Sequence, residues 1–275
     1  MTPLIANQPK QLKQHAEPVP KSPWILLFCF VGLQASYLTW GYVQEKVMTK
    51  EYSTGKFPSA TFCVFSNRVL AIMAAATAIF LKRGEISIPA PMTSFAPCAV
   101  SNTLSSYGQY QALRYVSFPL QTLSKSTKLI PVMLMGKFLN SKEYPWNEYG
   151  EAALISAGVS MFTFAETNKS EGQSTEILGL VCLALYIVSD SFTSQWQSRV
   201  YKENPQVDQY QMMFSVNMWS IIFTLAMLIA SGELWLTLSF LSSNPEAIID
   251  NITISITSAT GQLFIYYTIK EFGKC

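Results

Sequence analysis

Two lysines, Lys125 and Lys128, stand near the middle of residues 118–140, a stretch apolar and long enough to cross a bilayer. A lysine at the bilayer midplane costs roughly 2.5–3.5 kcal/mol, so the pair costs about 5–7 kcal/mol. Such a cost persists only where a carboxylate or an anionic ligand offsets it. On an α-helix, i, i+3 spacing sets the two ammonium groups about 60° apart in azimuth and about 4.5 Å apart along the axis. That arrangement suits a ligand carrying more than one negative charge. Gln121 shares their face at i, i+4, i+7. Pro131, just beyond, frees the carbonyl of Thr127 and predicts a break at mid-depth.

Acidic partners are scarce. Asp190 is the clear carboxylate inside another apolar stretch, so at least one lysine is left over. Arg68, in Asn67-Arg68-Val69-Leu70, lies inside the second stretch. Two readings stand for it: a further cation lining a cavity, or an arginine that snorkels to the interface or pairs with Glu45 or Asp190. Residues 101–110 are too polar to face lipid. Small hydroxyl residues that glue helices together explain about half of that run. Tyr107, Gln109 and Tyr110 remain as candidates to stack on or hydrogen-bond a ligand. Asn217, Gln262, Tyr266 and Tyr267 place further polar groups on later stretches. Singly, each suits helix packing; together they describe a polar interior of the kind a solute pathway needs.

The elements that position these residues are membrane helices. The chain has 275 residues, 49% hydrophobic and 13% charged, against about 25% charged in soluble domains. Eight apolar stretches are long enough to span: 24–44, 60–81, 92–115, 118–140, 149–165, 177–197, 211–231 and 247–269. The expected fold is therefore an all-α polytopic membrane protein. Residues 1–23 are polar, carry five prolines and read as a disordered tail. No short apolar segment with a cleavage site precedes Trp24, so the first span serves as an uncleaved anchor.

Lysine and arginine set the orientation. With the N-terminus in the cytosol, that side holds Lys10, Lys13, Lys21, Lys82, Arg83, Lys137, Lys142, Arg199, Lys202, Lys270 and Lys274. The other side holds Lys46, Lys50, Lys56, Arg114 and Lys169, an excess that predicts both termini in the cytosol. The sequon at Asn168 then falls in a lumenal loop, residues 166–176, open to glycosylation; that at Asn251 falls in the last helix. Five cysteines lack metal spacing, and the single histidine, His15, lies in the tail. These facts predict no metal, no cofactor and no histidine-based enzyme. A weak repeat at a shift of 153 aligns Ser36 with Ser189, Gln44 with Gln197 and Val47 with Val200. Helix one meeting helix six is the pattern of two inverted five-helix repeats.

Tyr37-Leu38-Thr39-Trp40-Gly41, Asn67-Arg68-Val69-Leu70-Ala71, Ser117-Phe118-Pro119 and Ile130-Pro131-Val132-Met133 resemble the nucleotide-sugar transporter family. So do Asp190-Ser191-Phe192-Thr193-Ser194 and Gly261-Gln262-Leu263-Phe264-Ile265, which favour its branch for the sulfate donor 3′-phosphoadenosine 5′-phosphosulfate (PAPS) over carriers of UDP-galactose. The resemblance implies ten helices in two inverted repeats of five, of which this chain holds eight: 24–165, then an incomplete 177–275. It implies a Golgi membrane antiporter that exchanges cytosolic PAPS for a lumenal adenosine phosphate, with no nucleic-acid partner. It puts Lys125 or Lys128 on the nucleotide phosphate, and Tyr107, Gln109 and Asn217 on base and ribose. A UDP-sugar carrier of the same fold and a non-transporting form lacking helices nine and ten are the alternatives. Association between copies stays open.

Overall fold

A computed structural model describes residues 23–167 and 173–272. The tail and residues 168–172, with Asn168, lie outside the described residues. Among those residues, ten α-helices follow one another: α1 (Pro23–Thr49), α2 (Ala60–Arg83), α3 (Ala96–Ala112), α4 (Phe118–Ser124), α5 (Leu129–Asn140), α6 (Trp146–Thr167), α7 (Gln173–Glu203), α8 (Gln209–Ala230), α9 (Glu233–Ser243) and α10 (Pro245–Phe272). A two-residue hairpin, β1 (Glu51–Tyr52) and β2 (Gly55–Lys56), links α1 to α2. The molecule is an all-helical membrane protein. Four described helical segments, Pro23–Thr49, Ala60–Arg83, Ile177–Glu203 and Gln209–Ala230, are long and apolar enough to cross a bilayer unaided. The other expected spans are shorter, broken or more polar. The short α9, at 11 residues, had no counterpart among the expected stretches.

Helix ends fall where local chemistry puts them. Ser59 caps α2 by accepting from the Phe62 amide, and Gly84 ends it in a left-handed conformation at φ 78°. Ser117 caps α4, with Pro119 in its first turn, where the missing N–H costs nothing. Asp208 and Gln211 form a capping box on α8.

The main packing pairs are α3 with α7, α1 with α10, and α2 with α8; α2 also meets α10, and α3 meets α8. The α3–α7 seam is the closest. Ser101, Ser105, Gly108 and Ala112 present small groups along α3, and the Ser101 hydroxyl donates to the Ser189 carbonyl at 2.6 Å. A Cβ on Gly108 would stand 2.9 Å from the Cys182 carbonyl oxygen. The helix-gluing role expected for part of the 101–110 run is thus carried by these residues. Cys29, Cys63, Cys98 and Cys182 are all buried between helices.

One end of the bundle is tightly closed. Lys46 pairs with Asp250 at 2.8 Å and Lys50 with Glu246 at 2.6 Å, tying α1 to α10. The Tyr52 hydroxyl donates to Asp250, and Ser59 donates to Glu233 on α9. Phe57, Tyr52 and Phe240 stack edge-on beneath these pairs, and Arg114 holds the Phe57 carbonyl at 2.7 Å. Asn251 lies in this region, 6% exposed, its amide oxygen accepting from Ser66 at 2.8 Å. Mass spectrometry of peptides released from membranes is therefore expected to find Asn251 without glycan. A glycan there would show that α10 starts elsewhere.

Candidate functional site

The fourth predicted span is broken, and the break is the centre of the site. α4 stops at Ser124, Lys125–Lys128 forms a single 3₁₀ turn, and α5 begins at Leu129. The break falls one turn before Pro131. The proline has no N–H to donate back to Thr127, and its ring crowds that carbonyl, so the preceding turn tightens. The Thr127 hydroxyl instead bonds the Ser124 carbonyl at 2.8 Å. In a 3₁₀ turn, residues i and i+3 eclipse one another and rise about 6 Å. Lys125 and Lys128 therefore leave the backbone in one direction, rather than with the 60° offset of an α-helix.

Both enter a cavity of about 320 Å³, within the size range of small-ligand pockets. Its walls are Tyr37 and Trp40 from α1, Asn67 and Arg68 from α2, Asn102, Ser105, Ser106, Gln109 and Tyr110 from α3, Tyr186 and Asp190 from α7, and Ser258 and Gln262 from α10. A second space of about 190 Å³ shares Arg68, Asn102, Asp190 and Gln262. It continues past Thr193, Ser194, Gln197, Met212 and Asn217, towards the end where α7 finishes and α8 starts. A polar path thus runs from mid-bundle to one end, while the opposite end carries the α1–α10 ion pairs.

The lysines are held differently. Lys128 Nζ lies 3.3 Å from Asp190 Oδ2, with the two side chains 44% and 31% exposed to the cavity. Lys125 Nζ sits 5.4 Å from the Trp40 ring centre; among the described residues it makes no hydrogen bond or salt bridge, and Asp190 acts on it only at longer range. A water-accessible ion pair is worth about 0–1 kcal/mol and a cation–π contact about 0.5–2. Together they return at most ~3 kcal/mol of the ~5–7 that two lysines cost in a membrane. The remainder calls for water or an anion.

Arg68 is 8% exposed. Its guanidinium donates to Ser106 at 2.5 Å, to Asn102 at 3.2 Å and to Asn217 at 3.5 Å, so α3 and α8 fix it between the two spaces. It does not snorkel. Asn217 is held in turn by the Met213 carbonyl at 2.7 Å. Asn67 donates to the Tyr110 hydroxyl at 2.6 Å and accepts from Ser255 at 2.9 Å, which locks two polar wall residues in place.

The structure brings Lys125, Lys128, Arg68, Gln109 and Gln262 to the first space and Asn217 to the second. Two expected members stand elsewhere. Gln121 is fully buried behind the wall, its amide nitrogen donating to the Gln109 carbonyl at 2.7 Å. Tyr107 packs against the apolar cluster formed with Val47, Phe57 and Leu113, one helical position away from the lining residues. The Tyr266 and Tyr267 side chains lie outside the described residues. Tyr37, Trp40 and Tyr186 were missed as lining groups. The signal was present for α1, where Tyr37, Trp40, Gly41 and Gln44 make one face of an otherwise apolar helix.

The described helices thus enclose a cationic, aromatic-walled path within a membrane bundle. The model of the UAA transporter family matches residues 25–275, and the chain belongs to that family of nucleotide-sugar transporters. It is similar to proteins named adenosine 3′-phospho 5′-phosphosulfate transporter 1: 44% identical over 255 residues in Homo sapiens and 41% over 254 in Drosophila melanogaster. Each match covers 90% of this chain but 58% and 54% of the relative, so the chain spans little more than half their length. It is 30% identical to UDP-galactose/UDP-glucose transporter 5B of Arabidopsis thaliana, over 91% of this chain and 74% of the relative. These relatives are transporters, not enzymes.

Proposed function

We propose that the chain is the membrane body of a Golgi antiporter that carries PAPS to the lumen in exchange for an adenosine phosphate. The observation that carries the reading is Lys125, a cation inside a membrane bundle that, among the described residues, touches an aromatic ring and forms no salt bridge. Cations stand at two places on the wall, the broken helix and α2. PAPS carries anionic groups at two positions on its ribose, whereas a UDP-sugar concentrates its charge in one diphosphate. The names of the 41–44% identical relatives favour the same ligand over that of the 30% identical one. Lys125 and Lys128 would hold one anionic group and Arg68 another, with Tyr37, Trp40, Gln109 and Gln262 around adenine and ribose. Asn217 and the serines of α7 would line the way in.

The packing supports two inverted repeats, 24–165 and 177–275, with eight spans between them. Exchanging α1 with α7, α2 with α8 and α3 with α10 turns the α3–α7 pair into α10–α1 and returns α2–α8 to itself. It also exchanges α2–α10 with α8–α3. An odd number of spans in the first unit inverts the second, as in other transporters built this way. With the lysine-rich ends of α2 and α7 in the cytosol, the polar path opens to the cytosol and the α1–α10 ion pairs close the lumenal end. Asn168 is then lumenal and open to glycosylation.

Competition tests the choice of ligand. In proteoliposomes holding the protein, excess unlabelled PAPS and adenosine 3′,5′-bisphosphate are expected to block uptake of labelled PAPS, and equal UDP-galactose to leave it intact. Block by UDP-galactose, with none by the adenosine bisphosphate, would assign the site to nucleotide sugars.

A further inference from the structure

The two lysines differ in one respect that their spacing hides: Lys128 contacts Asp190 directly, whereas Lys125 makes no hydrogen bond or salt bridge among the described residues and feels Asp190 only at longer range. Asp190 Oδ2 is 3.3 Å from Lys128 Nζ, and among the described residues Lys128 is the one hydrogen-bond partner of that carboxylate. Asp190 borders both spaces, together with Arg68, Asn102 and Gln262. Its side chain is 31% exposed and that of Lys128 44%, so water reaches the pair and an anion can too. A phosphate or sulfate group arriving at Lys125 meets Lys128 about one 3₁₀ turn away, already occupied by a carboxylate.

We propose that Asp190 is a built-in competitor for the ligand's anionic group. Lys125 is the standing receptor, and Lys128 becomes available only when the ligand displaces Asp190. The displaced carboxylate then competes to retake Lys128 from the bound anion, which loosens binding and speeds release. When the site empties, Asp190 returns to Lys128 and keeps one lysine from standing uncompensated. This inference rests on the nucleotide reading given above, and it predicts that removing the acid improves binding while impairing transport. A purely structural acid would do neither.

The test is a double-mutant cycle on the full protein, reading the Kd for adenosine 3′,5′-bisphosphate by calorimetry and PAPS exchange in liposomes. Asp190→Asn is expected to lower Kd about tenfold and to slow exchange, and Lys128→Gln to raise Kd about tenfold. The double variant is expected to match Lys128→Gln alone, because the acid acts through that lysine. Asp190→Glu is expected to restore wild-type behaviour. An Asp190→Asn protein that binds no tighter, or that binds equally tighter when Lys128 is absent, would overturn the proposal. Where Asp190→Asn alone leaves too little folded protein, the charge-balanced double variant compared with Lys128→Gln decides: equal Kd supports the competitor, unequal Kd rejects it. If the wild type itself binds no adenosine bisphosphate, the nucleotide reading falls and this proposal with it; if the wild type binds and the cycle is flat, only the role of Asp190 falls.

Discussion

Lys125→Ala is expected to weaken binding of an adenosine polyanion by about 10- to 100-fold and to raise, not lower, the thermal stability of the protein. The first figure follows from losing one hydrogen bond between charged groups, worth about 1.5–3 kcal/mol. The second follows from the cost of the lysine, roughly 2.5–3.5 kcal/mol at mid-membrane. Against that cost stands one contact with the Trp40 ring at 5.4 Å. Residues kept for function at the expense of stability show this opposite movement. Lys125→Arg is expected to retain part of the exchange, since the charge stays but its geometry changes. Thermal unfolding in detergent, followed beside exchange in liposomes, checks both halves. A Lys125→Ala protein that melts earlier and exchanges normally would make the lysine a structural residue.

The second large effect concerns the seam that holds the site together. Gly108→Val is expected to part α3 from α7 and to leave little folded protein. A Cβ there meets the Cys182 carbonyl oxygen at 2.9 Å and the Tyr186 amide nitrogen at 3.2 Å, both backbone atoms that cannot rotate away. Overpacking of this kind costs typically about 1–3 kcal/mol where side chains can adjust, and more where backbone must move. The same seam carries Asn102 and Ser106 on one helix and Asp190 on the other, so separation also dismantles the wall. Gly158→Ala on α6 is the control, because no atom lies within 4 Å of its added Cβ. It is expected to be neutral or slightly stabilising. Fluorescence-detected size exclusion after heating compares the two. Equal survival would mean that α3 and α7 do not pack as described.

The helical membrane class was legible in residues 24–269 because twenty-residue apolar runs leave few other structures open. The place of the site was legible in Lys125, Lys128 and Arg68, since charge inside a membrane helix is costly enough to stand out. The position of the break was less so. Pro131 marked a disturbance, but the tightened turn lies on its N-terminal side, where the freed carbonyl is, and only the backbone shows that the lysines eclipse. Gln121 lies behind the wall because its amide is taken up by the Gln109 carbonyl on α3, a tertiary contact that helical spacing does not show. Tyr107 and Gln109 could not be separated by periodicity, because both neighbours of Gly108 are polar enough to line a path and apolar enough to pack. The aromatic wall of α1 was overlooked because Tyr37 and Trp40 count as apolar in a membrane span. Their polar tips matter only once a cavity stands beside them.

The most direct measurement is uptake of labelled PAPS into liposomes that hold the protein, either empty or preloaded with adenosine 3′,5′-bisphosphate. The account predicts uptake that requires the preloaded nucleotide and falls by at least about tenfold with Lys125→Ala. Uptake that ignores both the internal nucleotide and Lys125 would contradict it.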